Sequence, residues 1–233
     1  MNQIHLNYLI SIGNNDQGYV GANSLKWGKS ILKDISINTS NSRLEKFNEI
    51  DQELDKKLNR YELFDYCQNH ENIIDIIIAI LSWGGMRRDH GRMLFDNLNY
   101  LLPFVDLLRN KKIESRFEAF DKIQKIRISG KLPGLGIGYF TKLICFLAPQ
   151  LNGYIMDQWV SKSINLLSDK EIVRITNKVW VDDRNNADVY ERFCTKIDEI
   201  AEILECDGFE AEKRLFSVGR GNGTWRKYLI KHY

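Results

Sequence analysis

The amino-acid sequence predicts an all-α protein. Apolar residues recur at intervals of three or four over most of the 233 residues, which puts their side chains on one face of a helix. Stretches in which apolar and polar residues alternate, as they do in a half-buried strand, are few. Prolines, which interrupt helices, occur at positions 103, 133 and 149 alone. These observations favour helices joined by short connections.

The helical spacing continues along the chain, with polar or glycine-containing turns between the segments. Ser42, Ser168 and Asp207 stand where an N-cap side chain would accept hydrogen bonds from the first free amides of a helix. Residues 13–28 look irregular, and we find neither an internal repeat nor a low-complexity linker. The predicted helices span 24–35, 42–59, 63–68, 73–83, 88–101, 116–128, 138–148, 160–167, 170–179, 188–204 and 208–216.

The composition is that of an ordinary soluble globular protein, with 43% hydrophobic and 27% charged residues. The longest apolar run, 73–83, is about half as long as a membrane-spanning helix, and residues 1–5 lack the features of a signal peptide. The cysteines form no Cys-x-x-Cys pair, and the histidines lie too far apart along the chain to suggest a metal site. We therefore expect a cytoplasmic protein with reduced thiols and no membrane association.

The net charge of +2 is small, but the charges are unevenly distributed. Residues 107–131 contain eight Lys and Arg against three Asp and Glu, and residues 213–231 contain six against none. Residues 181–212 show the opposite bias, with eleven acidic residues against three basic ones. This segregation predicts a basic face suited to a polyanion, unless each run is only the solvated face of a helix.

The most informative motif is a glycine-rich loop before an apolar helix. Gly134, Gly136 and Gly138 permit a tight hairpin, and the apolar run 139–147 that follows is typical of a buried helix. A glycine loop that leads into a helix N-terminus exposes unpaired amides, and the helix dipole adds positive potential there. The motif therefore predicts a phosphate-binding site.

Asp157 is the second informative feature. It is an isolated carboxylate flanked by the apolar residues Ile155, Met156, Trp159 and Val160. A carboxylate in such surroundings is unfavourable to bury unless it serves a purpose. An Asp before a helix is also a common N-cap, and the two roles are compatible because capping would orient the carboxylate.

The chain resembles the helix–hairpin–helix DNA glycosylases, in their 8-oxoguanine-DNA-glycosylase-like branch (the OGG fold). The family pattern is Leu-Pro-Gly-apolar-Gly, then a helix, then an apolar-apolar-Asp step. Residues 132–136, the helix after them and residues 155–157 supply this pattern in the same order. The resemblance extends over about residues 70–220 and is strongest at 131–167.

This resemblance implies an enzyme that flips out and excises a modified or damaged base from double-stranded DNA, in base-excision repair or in bacterial antiphage defence. It implies two helical lobes around a cleft, one formed by residues 1–65 with 168–233 and the other by 66–167. Asp157 would stabilise positive charge on the sugar or activate a water, and Lys131 and the hairpin amides would hold a phosphate. We expect a monomer without a cofactor, apart from an alkali cation that the hairpin carbonyls could hold.

Lys142 is a second candidate catalytic residue, although the chain departs here from the family pattern. Bifunctional members carry a lysine nucleophile two residues after the second hairpin glycine, where this sequence has Gly138. Lys142 lies one helical turn further on and on nearly the same face. Apolar neighbours and the helix N-terminus would lower its pKa toward that of a usable nucleophile. Lys142 could instead reach solvent or a phosphate. The departure at Gly138 favours a hydrolase in which a water molecule attacks the sugar, and it leaves the associated lyase reaction open.

Two further segments are candidate DNA contacts. The turn 82–92 occupies the place where the family probes the duplex, and its Trp83, Met86 and Arg87 are suitable side chains for filling the space that a flipped base leaves. The glycine-rich basic segment 216–226, which includes Arg220, is suited to lining a base pocket or binding phosphate. Either segment could instead be ordinary core or surface.

Two other functions remain open at this point. A non-catalytic helix–hairpin–helix module would use the hairpin only to bind DNA, but the isolated Asp157 and Lys142 would then have no role. An unrelated helical scaffold for protein partners would make the Leu-Pro-Gly turn and the aspartate coincidental. Base release from modified duplexes would distinguish the enzyme from both.

Overall fold

The computed structural model of this protein describes residues 1–13, 18–32, 50–217 and 223–233. Within these residues the chain forms twelve α-helices, two short 3-10 helices and two antiparallel sheets of two strands each. The all-α prediction is therefore confirmed. No helix in the described ranges is long and apolar enough to cross a membrane.

The elements follow one another in a mainly helical order. Strands β1 (Val20–Asn23) and β2 (Lys57–Asn59) form one sheet, and β3 (Ile175–Thr176) and β4 (Trp180–Val181) form the other. The 3-10 helices span Gln52–Leu54 and Pro149–Leu151. The α-helices are α1 (Gln3–Ile12), α2 (Ser24–Leu32), α3 (Arg60–Asn69), α4 (Ile73–Trp83), α5 (Arg88–Phe95), α6 (Leu98–Arg109), α7 (Arg116–Ile128), α8 (Ile137–Leu147), α9 (Gln158–Ser168), α10 (Ala187–Ile203), α11 (Gly208–Phe216) and α12 (Thr224–His232).

Helix α4 lies at the centre of the core. Its sequence is apolar on nearly every side, and residues 74–83 are all buried. A helix that is hydrophobic all round is stable only inside a protein, and α4 accordingly packs against α2, α3, α8 and β1. Asn72 begins the helix by accepting a hydrogen bond from the amide of Ile74. Its C-terminal end, at Trp83 and Gly84, borders the candidate site.

Helices α7 and α8 flank the predicted glycine hairpin. Ser115 caps α7 by accepting a hydrogen bond from the amide of Glu118 (3.1 Å), and Asp207 caps α11 as predicted. Helix α8 is buried along most of its length and packs against α3, α4, α6 and α7. This packing fixes the position of the hairpin that precedes α8. The predicted bounds of α4, α7 and α11 are confirmed, and α2 confirms the predicted helix at 24–35 as far as the described residues extend.

The two ends of the chain pack together. Helix α1 contacts α9 and α12, and the amide of Asn2 donates a hydrogen bond to the carbonyl oxygen of Leu167 (2.7 Å). Tyr8 of α1 stacks on Tyr228 of α12, with ring centroids 3.9 Å apart. Neither α1 nor α12 is among the predicted helices. The division into a lobe of residues 1–65 with 168–233 and a lobe of residues 66–167 stays a prediction.

The helix predicted over 170–179 is wrong. This segment is irregular at first and then forms β3, which a turn at Asn177 and Lys178 connects to β4. The buried side chain of Asn165 accepts hydrogen bonds from two amides of the segment, both at 2.9 Å, and satisfies groups that would otherwise start a helix. Asn177 and Lys178 have positive φ (52° and 56°), which no α-helix accommodates. Ser168 therefore ends α9 instead of capping a new helix.

Two other predicted helices differ from the observed ones. The helix predicted over 88–101 is divided into α5 and α6, and α6 continues through Pro103. Proline removes one backbone donor there, but the carbonyl that loses its partner lies on an exposed residue, where water can replace it. The helix predicted over 42–59 is wrong from residue 50 onward, where a 3-10 helix and β2 form. Its earlier part, with the cap at Ser42, lies outside the described residues.

Candidate active site

The glycine hairpin between α7 and α8 has a fixed shape. Leu132 and Leu135 are buried, and the amide of Leu135 donates a hydrogen bond to the carbonyl of Leu132 at 3.4 Å. Gly134 has a φ of 79°, and a Cβ at this position would lie 2.6 Å from the carbonyl oxygen of His90. Only glycine satisfies both conditions. The hairpin is therefore held close to α5.

The N-terminus of α8 is accessible. No side chain caps the helix at Gly136, and a Cβ at this position would meet no atom within 4 Å. In the ranges that the structure covers, the amides of Gly136, Ile137 and Gly138 donate no hydrogen bond. The exposed Lys131 begins the same hairpin. Unpaired amides at a helix N-terminus attract an anion, as the sequence predicts for this loop.

Asp157 has a fixed orientation at the N-terminus of α9. Its Oδ1 atom accepts hydrogen bonds from the amides of Trp159 (2.8 Å) and Val160 (2.9 Å), so the expected cap is present. Among the described residues, Oδ2 has no hydrogen-bond partner. The amide of the buried Met156 donates to Oγ1 of Thr141 in α8 at 3.1 Å. The backbone beside Asp157 is thus hydrogen-bonded to α8, and Oδ2 of the carboxylate is left available to a ligand.

Lys142 is buried within α8, with 7% of the residue exposed. Its Nζ donates a hydrogen bond to the carbonyl oxygen of Gly138, which lies 2.8 Å away and one turn earlier. Burial lowers the pKa of Lys142, and the carboxylates of Asp157 and Glu212 oppose this effect only in part. A lysine whose charged form is disfavoured is closer to a usable neutral amine.

Two glycines make room around Lys142 and Asp157. A Cβ at Gly84 would lie 2.7 Å from Cδ of Lys142, so a larger residue there would displace the lysine. A Cβ at Gly138 would lie 3.7 Å from Cβ of Asp157, which is an ordinary van der Waals contact. Lys142 therefore reaches back to the turn of α8 that packs against Asp157.

A pocket of about 90 Å³ borders Lys142 and Asp157. Three aromatic residues, Tyr19, Trp83 and Phe216, form part of its wall. The ring of Tyr19 packs edge to face against Trp83 and Phe216, with ring centroids 5.1 Å and 5.6 Å apart. The hydroxyl of Tyr19 donates to the carbonyl oxygen of Trp83 at 3.0 Å. Such walls suit a planar ligand. The other lining residues are Arg60, Gly84, Ile155, Glu212 and Lys213.

A buried ion pair lines the same pocket. Nη2 of Arg60 donates to Oε2 of Glu212, and the two residues are 8% and 1% exposed. Burial raises the pKa of Glu212 despite the charge of Arg60. Burial also disfavours the charge of Arg60, but Glu212 and Cys145 together outweigh this effect and raise the pKa of Arg60. Burial also raises the pKa of the neighbouring Cys145 thiol to about 12. Within the described chain, Arg60 Nε and Trp83 Nε1 are buried donors without a partner.

A larger and more open groove of about 600 Å³ also borders Lys142 and Asp157. Residues 132–139 of the glycine hairpin line it, and so do Trp159 and the strand β4. Gly84, Lys142 and Asp157 line both cavities. The candidate catalytic side chains therefore stand where an enclosed aromatic pocket meets an open groove.

A comparison with protein families identifies the chain. The family described as "OGG: Putative 8-oxoguanine DNA glycosylase OGG-like protein" matches residues 22–216. The chain belongs to this family. Comparisons with curated proteins and with solved structures gave no match. The matched region contains the hairpin, Lys142, Asp157 and α11, so the resemblance read from the sequence is confirmed.

The residues predicted around the hairpin of this OGG-like protein lie together. The three hairpin glycines line one groove with Lys142 and Asp157, and Lys131 is exposed at the start of the hairpin. The catalytic and DNA-binding roles of these residues stay predictions.

The turn after α4 differs from what the sequence suggested. Trp83 is 5% exposed and Met86 is 3% exposed, so neither side chain can enter a duplex from its position. Trp83 lines the pocket instead, and the carbonyl of Met86 accepts a hydrogen bond from a buried tryptophan. Arg87 is exposed and pairs with Asp89 at 2.6 Å, and its role in DNA binding stays a prediction. Arg220 lies outside the described residues.

Tyr19, Arg60 and Glu212 are pocket residues of the OGG-like chain that sequence analysis does not find. Arg60 and Glu212 are 152 positions apart, and no local spacing connects them. Sequence analysis points to the pocket only through the segment 216–226, for which it suggests lining a base pocket or binding phosphate. Its first residue, Phe216, forms a wall of the pocket.

Proposed function

We propose that this protein is a DNA glycosylase that flips a modified or damaged base out of double-stranded DNA and cleaves its N-glycosidic bond. The observation that carries the proposal is the position of Asp157 and Lys142, a fixed carboxylate and a buried amine, where the pocket meets the groove. Membership of the OGG-like family supports the same class of reaction. In this proposal the protein acts as a cytoplasmic monomer.

The pocket is the proposed site of the extruded base. The rings of Tyr19, Trp83 and Phe216 can pack against a planar base. The polar residues Arg60, Glu212 and Lys213 also line the pocket and can bind polar atoms on the edge of the base. Taking a base out of the stack costs a few kcal/mol, and these contacts would compensate for it.

The glycine hairpin is the proposed site of a backbone phosphate. The amides of Gly136, Ile137 and Gly138 and the dipole of α8 all favour an anion there, and Lys131 adds an exposed positive charge. Contacts of this kind position the DNA backbone and do not read the sequence. An alkali cation at the hairpin carbonyls stays a prediction.

Asp157 and Lys142 have separate roles in the proposed reaction. As the bond between C1′ and the base lengthens, the sugar gains oxocarbenium character, and the Asp157 carboxylate stabilises this positive charge. The neutral Nζ of Lys142 attacks C1′, and the base leaves with the electron pair of the broken bond. One proton from the nitrogen goes to the departing base. The bond between C1′ and O4′ then breaks as the sugar ring opens, O4′ takes the second proton, and an imine is left between Lys142 and C1′.

Two observations favour Lys142 over water as the nucleophile. Its Nζ donates a hydrogen bond to the carbonyl oxygen of Gly138. The amine therefore lies close to the position at which bifunctional members of the family carry their lysine. Gly84 leaves space for this path of the side chain, and burial lowers the pKa of the amine. If water were the nucleophile, no covalent adduct would form and strands would break only after alkali.

Release of free base from a panel of modified duplexes tests the proposal. The panel would carry oxidised, alkylated and deaminated bases and the bulky modified bases of phage DNA, each assayed with and without alkali. We expect release of at least one base, retained in the surface control Lys122→Gln and lost in Asp157→Asn. An oxidised base would indicate repair, whereas a bulky phage base would indicate antiphage defence. Binding to every duplex without release from any would favour a non-catalytic DNA-binding module.

A further inference from the structure

The β3–β4 hairpin presents an exposed tryptophan at the groove. Trp180 is 67% exposed and the adjacent Val179 is 41% exposed. Both line the groove that also contains the glycine hairpin and Asp157. Tyr139 and Trp159 line the groove too, but they are less exposed. Trp180 is thus the more accessible ring for a molecule lying in the groove.

Side-chain hydrogen bonds hold the β3–β4 hairpin in place at its base. The buried Asn165 of α9 accepts from the amide of Val173 at 2.9 Å and donates to its carbonyl at 2.8 Å. The buried Asn185 forms the same pair of bonds with the backbone of Arg174, each at 2.9 Å. Asp182 accepts from a threonine hydroxyl of β3 at 2.5 Å. Because Trp180 stands on a pre-organised support, little ordering is needed when a ligand binds.

Strand geometry directs Trp180 away from the core. Its neighbour Val181 packs against the core, and successive side chains of a strand point to opposite faces. Single exposed apolar residues are common on protein surfaces. Here, however, Met93 (41% exposed), Val179 and Trp180 line one groove beside the candidate catalytic residues. This grouping points to a ligand that covers them.

The charge around the hairpin selects the kind of ligand. Lys178, in the turn that carries Val179 and Trp180, is exposed and forms no ion pair with any other described residue. The acidic Asp183 in the groove is paired with Arg127 at 3.0 Å. An exposed aromatic ring beside an unpaired lysine suits a nucleic acid, whose bases stack on the ring and whose phosphates attract the positive charge.

We infer that Trp180 stacks into the duplex at the position from which the target nucleotide has been extruded. The inference rests on the proposed function, because it requires DNA whose target base occupies the pocket. Trp83 and Met86, which sequence analysis proposed as candidates for this role, are buried, whereas Trp180 borders the same groove as Asp157. A ring in the vacated space replaces the lost stacking and keeps the nucleotide extruded.

Binding to a duplex with one tetrahydrofuran abasic analogue measures this stacking without knowledge of the target base. The parent protein should prefer this duplex over the same duplex without the analogue by about tenfold or more, the range expected for one stacked aromatic contact. Trp180→Ala should remove the preference, and Trp180→Phe should keep most of it. Tyr61→Ala removes a ring of similar exposure (68%) outside the groove and should leave the preference unchanged.

A 2-aminopurine that directly flanks the analogue on the same strand gives a second readout, because a ring in the vacated space stacks on it. Stacking of Trp180 should quench its fluorescence in the parent complex and not in the Trp180→Ala complex. A Trp180→Ala protein that keeps both the preference and the quenching overturns the inference, and so does a parent protein without any preference. In either case, base release in the panel of modified duplexes shows whether the proposed function survives and only the stacking role fails.

Discussion

The pocket and the groove share Gly84, Lys142 and Asp157, yet they differ in size, lining and charge. The pocket is small, about 90 Å³, and combines aromatic walls with the buried Arg60–Glu212 ion pair. The groove is about 600 Å³ and offers open backbone amides and exposed side chains. In the proposed function, the pocket encloses the extruded base and the groove lies along the DNA backbone.

If the proposed function is right, this difference implies that base recognition and binding of the DNA backbone can be changed separately by substitution. Substitutions in the pocket should alter chemistry, base selectivity or stability, with little effect on binding to unmodified DNA. Substitutions in the groove should weaken binding to all duplexes alike. Asp157 and Lys142, which border both cavities, should affect the reaction itself.

The largest effect is expected from Asp157→Asn at the boundary of the two cavities. Asparagine keeps the size of the side chain and its capping ability, so the protein should fold normally. Loss of the negative charge should reduce single-turnover base release by about two to three orders of magnitude. Thermal unfolding of the variant serves as the control, and base release at the parent rate would show that the carboxylate has no role in the reaction.

Arg60→Met breaks the buried ion pair of the pocket. It leaves the Glu212 carboxylate without a partner, and breaking such a pair typically costs about 3–5 kcal/mol of unfolding free energy. The double variant Arg60→Met/Glu212→Leu should recover most of this loss, since neither charge then remains buried. Urea unfolding measures both values. A double variant no more stable than Arg60→Met would mean that the pair is not energetically coupled.

Gly136→Asp tests the groove alone. A side chain fits at this position, because a Cβ would meet no atom within 4 Å and φ is −75°. The added carboxylate should repel the phosphate and weaken binding to modified and unmodified duplexes by about tenfold or more, since hydrogen bonds to charged groups contribute roughly 1.5–3 kcal/mol. Gly136→Asn provides the matched neutral control. Unchanged affinity in fluorescence-anisotropy titrations at moderate salt would remove the hairpin from the DNA interface.

The pH dependence of base release should show the smallest effect. Because the neutral amine of Lys142 is the reactive form and its pKa is lowered by burial, the rate should rise with pH and level off below the ordinary lysine pKa. The Glu212 carboxylate raises the pKa of Lys142, so Glu212→Gln should move the inflection to lower pH. A shift to higher pH, or a profile without this inflection, would contradict the role of the amine.

The features that the sequence predicts correctly have local causes. The hairpin depends on Gly134, whose positive φ and close approach to α5 only glycine allows, and the position of Asp157 follows from its capping of α9. Helices such as α4 and α7 show their apolar spacing within a single segment. A pattern confined to neighbouring residues can therefore be read without knowledge of the rest of the molecule.

The features that the sequence misses depend on partners far along the chain. Arg60 and Glu212 meet across 152 positions, so nothing near either residue predicts the ion pair. The residues predicted as a helix at 170–179 form a β-hairpin partly because the Asn165 side chain binds their backbone. Because this segment was predicted as a helix, sequence analysis does not identify Trp180, which the β-hairpin exposes at the groove.

Borohydride trapping on DNA with a single abasic site shows whether Lys142 forms a covalent bond with the sugar. The site is prepared from uracil, so the natural target base need not be known, and reduction of the imine joins the protein covalently to C1′. We expect an adduct with the parent protein and with the control Lys56→Gln, which changes an exposed lysine outside both cavities, and none with Lys142→Gln.

The variant Lys142→Gln/Gly138→Lys sharpens the test by moving the amine back one turn. A side chain is tolerated at Gly138, where a Cβ would have no contact closer than 3.6 Å, and a lysine there begins beside Asp157. If the amine is the nucleophile, we expect this variant to regain the adduct. An adduct that persists unchanged in Lys142→Gln, or a parent protein that releases base and never forms one, would contradict the assignment of Lys142 as the nucleophile.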